Sequence, residues 1–403
     1  MRSLLPGDWR RNVWALTLTV FVAFVGFQFF SPFLPLYIRD LGVTDPAMIA
    51  LWSGLLAAVT PAVSGVLSPV FGRLADRFGR KMMLIRSLVG FTVIMGAMGL
   101  VTSVQQLFVA RLLMGLFAGF SPMAMALATV SAPRDKVSVA IARVQGAQLI
   151  SVAIGPAAGG VVASHLGTRP AFFVTAGMCV LALIALIFLF QEVPASEPGA
   201  ARQTKSATPL RRFIAYPHFV SVMVLLLIAQ FIDRGLALLI PLRVAHMPGV
   251  EAAATSGFII AVAAVGATLS ANVMGRLAQE LPVGRLLLMG LLVGAPLCAL
   301  MGLANGWVSL LILRTIVAIC LGGALTLAYS LGGQIVPAES RGAAFGWLAL
   351  GVQVGTAISP LATGALAAVT LSGAFVFTGA ICWLAAGLLV LGARDLLGRR
   401  GVG

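Results

Sequence analysis

Four ionisable residues stand inside stretches of sequence that are otherwise apolar: Arg111, Asp233, Arg234 and Arg314. Asp233 is the only one of the twelve Asp and Glu residues so placed. An ionised side chain in such a setting is costly, and it normally faces a cavity or a partner of opposite charge. Burial favours the neutral carboxyl, whereas a neighbouring guanidinium favours the charged one. A carboxylate held between those pulls can exchange a proton when its surroundings change. Asp233 is therefore the candidate for proton exchange, with Arg111 and Arg314 as its cationic company. A static Asp–Arg pair joining two helices is the other reading of the same residues. The remaining chemistry-bearing residue types are scattered. Cys179, Cys298, Cys320 and Cys382 each sit in an apolar run with no C-x-x-C pair, the pattern of packing rather than redox or metal chemistry. His165, His218 and His246 are far apart and form no cluster. With no nucleophile constellation, metal set or phosphate loop, the sequence is expected to encode no enzyme, to need no cofactor and to hold no metal.

The elements that position those charges are membrane spans. Of 403 residues, 60% are hydrophobic and only 10% charged, against about 25% charged in an ordinary soluble domain. The mean hydropathy of +1.04 points the same way. A water-soluble globule of this size has no such surface, so that class is excluded. A span needs about 20 apolar residues, and twelve stretches qualify: 13–37, 47–71, 82–102, 105–127, 138–164, 170–190, 218–244, 252–275, 283–303, 307–330, 342–368 and 372–393. The first is too long for a signal-peptide core and is read as a retained helix. Segment 191–217, with Pro194, Pro198 and Pro209, divides the chain into residues 1–190 and 218–403. Its Pro209–Tyr216 part has basic and aromatic residues suited to the membrane interface.

Of the 27 Lys and Arg, 21 fall in the two tails and around the loops after spans 2, 4, 6, 8 and 10, while Arg39, Arg169 and Arg243 mark the other side. That bias sets both termini in the cytoplasm. It also accounts for the net charge of +15 without nucleic acid, because the charges are dispersed among loops.

The chain also matches itself at a shift of 203 residues: Gly72-Arg73-Leu74-Ala75 with Gly275-Arg276-Leu277-Ala278, Arg111 with Arg314, Ser53-Gly54 with Ser256-Gly257, and Ala171-Phe172 with Ala374-Phe375. Pro156 and Pro360 correspond after a one-residue slip. Six spans per half give the copies one orientation, so the expectation is two pseudo-symmetric six-helix bundles with a substrate site between them.

The loop after span 2 reads GRLADRFGRK over residues 72–81. Gly72 and Gly79 allow a tight turn, and Asp76 suits a helix N-terminus. With this loop, the sequence resembles the major facilitator superfamily over roughly residues 10–395. The resemblance implies an all-α polytopic membrane protein of the major facilitator fold, and a conformational latch made by Gly72, Asp76, Arg77, Gly79 and Arg80 that docks near Arg341-Gly342. The second copy lacks the aspartate, so the latch is expected to be asymmetric. Span 5 carries Gly146, Gly155, Pro156, Gly159 and Gly160. A stripe of small residues permits close helix packing. Its likeness to the motif of twelve-helix drug:proton antiporters implies multidrug efflux. Arg111, in the context RLLMG, resembles the span 4 arginine that the family links to proton transfer. Some members have an acid in span 1 where this chain has Gln28, which shifts proton coupling to Asp233. Gln28, Phe24, Phe27, Phe120, Gln230, Phe231 and Arg234 are the candidates to line a substrate cavity.

The function so implied is secondary active transport: proton-coupled efflux of amphiphilic small molecules by alternating access, from a monomer in the bacterial inner membrane. Three arginines against one aspartate favour neutral or anionic amphiphiles over dications. A proton-coupled metabolite importer and a lysophospholipid flippase on the same fold are the alternatives.

Overall fold

The computed structural model describes residues 8–133, 136–191, 213, 216–336 and 341–392. All the secondary structure among them is helical apart from one isolated bridge residue. Twelve helical segments are long and apolar enough to cross a membrane, matching the twelve stretches of the sequence. They are α1 (Asp8–Phe29, a 3-10 turn Ser31–Phe33, then Leu34–Asp40), α2 (Pro46–Phe78), α3 (Arg80–Leu100), α4 (Val104–Leu116 and Phe120–Ser131), α5 (Val137–Leu166) and α6 (Thr168–Leu189). The second series is α7 (Phe219–Val244), α8 (Ala252–Glu280), α9 (Val283–Met301), α10 (Trp307–Leu321 and Ala324–Ile335), α11 (Arg341–Val369) and α12 (Leu371–Gly392).

Local chemistry sets the helix ends. Asp45 accepts hydrogen bonds from the backbone N–H groups of Ala47 and Met48 at 3.3 Å, and Pro46 follows it at the first helical position of α2. Glu251 does the same for α8 through Ala253 and Ala254. Gly79, at φ +88°, turns α2 directly into α3.

Three spans are broken where the sequence reading has them continuous. In α1 the break falls at Phe30–Phe33, with Pro32 inside it and Pro35 in the first turn of the resumed helix; their rings remove backbone donors. In α10 it falls at Gly322, where a Cβ would clash with the backbone of Ala267 on α8. In α4 it falls at Phe117–Gly119, with Gly119 at φ +98°. The carbonyls freed there are taken up by Arg86 of α3, which donates to Leu116 at 3.3 Å and Ala118 at 2.8 Å. The guanidinium also lies over the Phe71 ring at 4.7 Å. Arg86 is thus a seal for a broken helix rather than a loop charge. By contrast, α7 runs unbroken past Asp233.

Most buried apolar residues fall into two large clusters, one on α1–α6 with Ala253 of α8, the other on α7–α12 with Phe213. Phe213 is buried and its ring stacks on Phe219 at 5.4 Å; of the interfacial segment Pro209–Tyr216, only Phe213 and Tyr216 are among the described residues. The repeat is visible in burial. Phe172 and Phe375, Thr175 and Thr378, Ser53 and Ser256, and Arg111 and Arg314 are all buried pairwise.

Glycines on α2, α5, α8 and α11 record how the two clusters meet. Toward the ends away from the basic loops they are crowded. A Cβ at Gly54 would strike the Pro360 carbonyl, one at Gly257 the Pro156 carbonyl, and one at Gly160 the Ala253 carbonyl. Toward the basic loops, Gly65, Gly72, Gly146, Gly275 and Gly346 have nothing within 4 Å of a Cβ. The halves therefore touch at one end and part toward the other.

Candidate functional site

A cavity of about 370 Å³ lies between the halves, just inside the closed end. Its apolar wall comes from Phe27, Phe30, Leu34, Met114 and Leu238, and its polar groups from Gln28, Ser31, Thr60, Ser64, Arg111, Arg234, Gln353 and Thr356. No carboxylate is among these lining residues. Such a mixture of apolar surface and a few converging polar groups is what a small-molecule site needs.

Of the residues named from sequence, Gln28, Phe27, Arg111 and Arg234 reach the cavity wall. Phe24, Phe120, Gln230 and Phe231 do not. Phe24 and Phe120 are 6.0 Å apart, ring to ring, and Phe120 is buried. Phe231 is buried against Phe377 of α12, and Gln230 is buried on α7. Ser31, Thr60, Ser64, Gln353 and Thr356 were missed by the sequence reading, because a small hydroxyl on a membrane helix has no composition signal that tells cavity from packing.

The four intramembrane charges separate into two arrangements. Arg314 Nη2 donates to Asp233 Oδ1 at 3.0 Å, joining α10 to α7. The Asp233 side chain is 50% exposed and that of Arg314 only 9%. Asp233 stands about 21 Å from the start of a helix about 39 Å long, close to its middle. The Nε atoms of Arg314 and Arg234 are buried without a hydrogen-bond partner.

Arg111 is placed differently. It is buried, its guanidinium lies over the Phe30 ring at 4.1 Å, and its backbone carbonyl accepts a hydrogen bond from the Thr60 hydroxyl at 2.8 Å. Among the described residues no carboxylate is within ion-pair distance of it. Residue 30 and residue 233 are related by the same 203-residue shift that relates Arg111 to Arg314. One half therefore presents its arginine to a carboxylate and the other to an aromatic face, a weaker cation partner. The 203-residue offset is the signal by which the sequence could have singled out Phe30.

The glycine motif of α5 serves two neighbours. Gly155 and Gly159 admit α1, since a Cβ would meet Gln28, Val25 and the Phe29 backbone, and the Ser151 hydroxyl donates to the Phe21 carbonyl at 3.0 Å. Gly160 and Pro156 instead meet α8 at the closed end. Gly146 differs from the rest of the motif in touching nothing. The α11 copy repeats the device: Gly355 admits Leu227 of α7, and the buried Ser359 hydroxyl donates to the Phe231 carbonyl. At the closed end the Ser53 and Ser256 hydroxyls are both buried with no hydrogen-bond partner.

In the loop motif, Gly72 and Arg77 lie on α2, Gly79 forms the turn, and Arg80 donates to the Ala126 carbonyl of α4 at 2.9 Å. Arg77 is exposed and lies over Phe78 at 5.2 Å. The side chains of Asp76, Arg341 and Gly342 lie outside the described residues. No group of three or more His, Cys, Asp or Glu that could hold a metal occurs among the described residues.

The family model described as Major Facilitator Superfamily matches residues 16–304 and 251–399. Multidrug resistance protein MdtG of Salmonella paratyphi A (strain ATCC 9150 / SARB42) is 33% identical over 334 residues, covering 82% of each chain. The MdtG of Salmonella arizonae is 32% identical over 335 residues, again 82% of each. Among solved structures, a bacterial homologue of the human lysosomal transporter Spinster, inward-facing and occupied, superposes with a TM-score of 0.78 at 20% identity, over 95% of this chain and 96% of that one. The nucleoside transporter NupG superposes with a TM-score of 0.72 at 12% identity, over 94% and 98%. These two share the fold.

Proposed function

Because the chain belongs to the major facilitator superfamily of membrane transporters, we propose that it exports amphiphilic small molecules in exchange for protons, by alternating access in a bacterial inner membrane. The halves 1–190 and 218–403, joined by 191–217, rock about the contact between α2 and α11 and between α5 and α8. Both termini are cytoplasmic, so the parted end faces the cytoplasm. The transporter works as a monomer, needs no cofactor and draws its energy from the proton gradient.

The observation that carries this reading is the Asp233–Arg314 pair: a carboxylate with half of its side-chain surface exposed, held 3.0 Å from a buried guanidinium. Charged, the carboxylate is held by Arg314. Protonation from the outer side frees that guanidinium, and the proton leaves on the inner side once the halves have rocked back. Arg111 and Arg234 face the substrate from the cavity wall. With two guanidiniums and no carboxylate among the lining residues, the cavity favours neutral and anionic amphiphiles over dications. The names of the curated relatives support drug efflux over metabolite import. Gly72, Asp76, Arg77, Gly79 and Arg80 act as the latch that docks on α11 when the cytoplasmic end closes.

The test is transport in proteoliposomes under an imposed pH gradient. Asp233→Asn abolishes gradient-driven export but leaves substrate exchange without a gradient, and Asp233→Glu restores part of the coupling. Undiminished gradient-driven export by Asp233→Asn removes this residue from the coupling role.

A further inference from the structure

Outside the central cavity, a second groove of about 620 Å³ runs along α1 and α5, with Leu189 at the end of α6 also lining it. Its walls are Trp14, Leu18, Phe21, Ala147 and Ile150, with Arg11 and Arg143 at the end that carries the basic loops. Trp14, Leu18 and Ile150 are exposed, as residues that meet lipid must be. On α5, Arg143, Ala147 and Ile150 line the groove, beside the stripe that continues through Ser151 and Gly155 and packs on α1. The groove therefore opens to the bilayer rather than to the substrate cavity.

Two features say what fits there. Arg143 lies over the Trp14 ring at 5.3 Å, yet its Nη1 is buried with no hydrogen-bond partner. A donor of that kind is incomplete without an acceptor. Arg11 supplies a second positive charge at the same mouth. From Arg11 to Phe21 the wall is about 15 Å long, half of a hydrocarbon core of about 30 Å, so it matches one leaflet. Tryptophan belongs at the interface, and basic pockets between helices on the cytoplasmic side bind anionic headgroups. We infer that this groove is a specific site for an anionic phospholipid of the inner leaflet, its phosphate between Arg11 and Arg143 and one acyl chain along α1 and α5.

The experiment is native mass spectrometry of the detergent-purified full chain titrated with dioleoyl phosphatidylglycerol or dioleoyl phosphatidylcholine. The wild type retains one phosphatidylglycerol on the order of tenfold more tightly than phosphatidylcholine, as two interfacial arginines require. Arg11→Gln with Arg143→Gln loses that preference. Arg276→Gln with Arg285→Gln, which removes two charges elsewhere on the basic face, keeps it. Gly146→Leu builds into open space in the groove and displaces the lipid while both arginines remain. Equal retention of the two lipids, an equal loss in the Arg276/Arg285 control, unchanged retention in Gly146→Leu, or a lipid-free dimer in place of the adduct would overturn the assignment.

Discussion

Phe30 and Asp233 hold the same place in the two halves, 203 residues apart, and each faces the arginine of its own half: the Phe30 ring lies under Arg111 and the Asp233 carboxylate pairs with Arg314. Phe30→Asp would give Arg111 the partner that Arg314 has and cancel one cavity charge. Export of anionic amphiphiles should then fall about tenfold or more, while monocationic dyes gain, because a neutralised guanidinium no longer favours an anion. Competition assays in proteoliposomes read the change. An unaltered preference would show that Arg111 does not select charge.

At the closed end, Gly257→Val sets a branched side chain against the Pro156 carbonyl and wedges the contact between α5 and α8. An introduced Thr60→Cys on the cavity wall should become more reactive to a thiol reagent added from outside, and transport should fall severalfold. Gly146→Ala, where a Cβ meets nothing, should leave both measurements unchanged. Loss of transport in Gly146→Ala would mean that the α5 glycines act as one unit regardless of contact.

The hydroxyls of Ser53 and Ser256, buried with no hydrogen-bond partner, penalise the closed end. Removing a buried, unsatisfied hydroxyl gains about 1 kcal/mol, roughly a fivefold population shift. Ser53→Ala with Ser256→Ala should raise the melting temperature in detergent and slow turnover, since the transporter then dwells longer with this end shut. Faster turnover would contradict this.

Arg86→Gln removes the charged donors that satisfy the Leu116 and Ala118 carbonyls at the α4 break. The expected loss is about 2 kcal/mol, read as lower thermal stability in detergent, with partial rescue by Arg86→Lys. Stability equal to the wild type would show that lipid or water seals the break equally well.

The spans and the repeat were legible in the sequence because apolar length and fixed offset are properties of the chain alone. The pairing of Asp233 with an arginine was legible too, since a lone intramembrane carboxylate requires a partner. Which arginine it takes was not, because Arg111 and Arg314 look alike until α1 and α7 place Phe30 and Asp233 before them. Arg86 read as a loop charge for a similar reason: the carbonyls it serves lie about 30 residues further along and are exposed only by the break in α4. Phe24, Phe120, Gln230 and Phe231 share the composition of cavity residues but turn into packed interfaces, a distinction made by helix rotation rather than by residue type.

The carboxylate-free wall around Arg111 and Arg234 also has an electrical consequence. Sending a monoanion outward while one proton enters moves two positive charges inward per cycle, whereas a neutral cargo moves one and a dication reverses the sign. Each charge crossing 100 mV is worth about 2.3 kcal/mol. On the proposed exchange, a monoanionic cargo would therefore draw about 4.6 kcal/mol per turn from the potential alone, enough for a concentration ratio above a thousandfold even where inside and outside share the same pH.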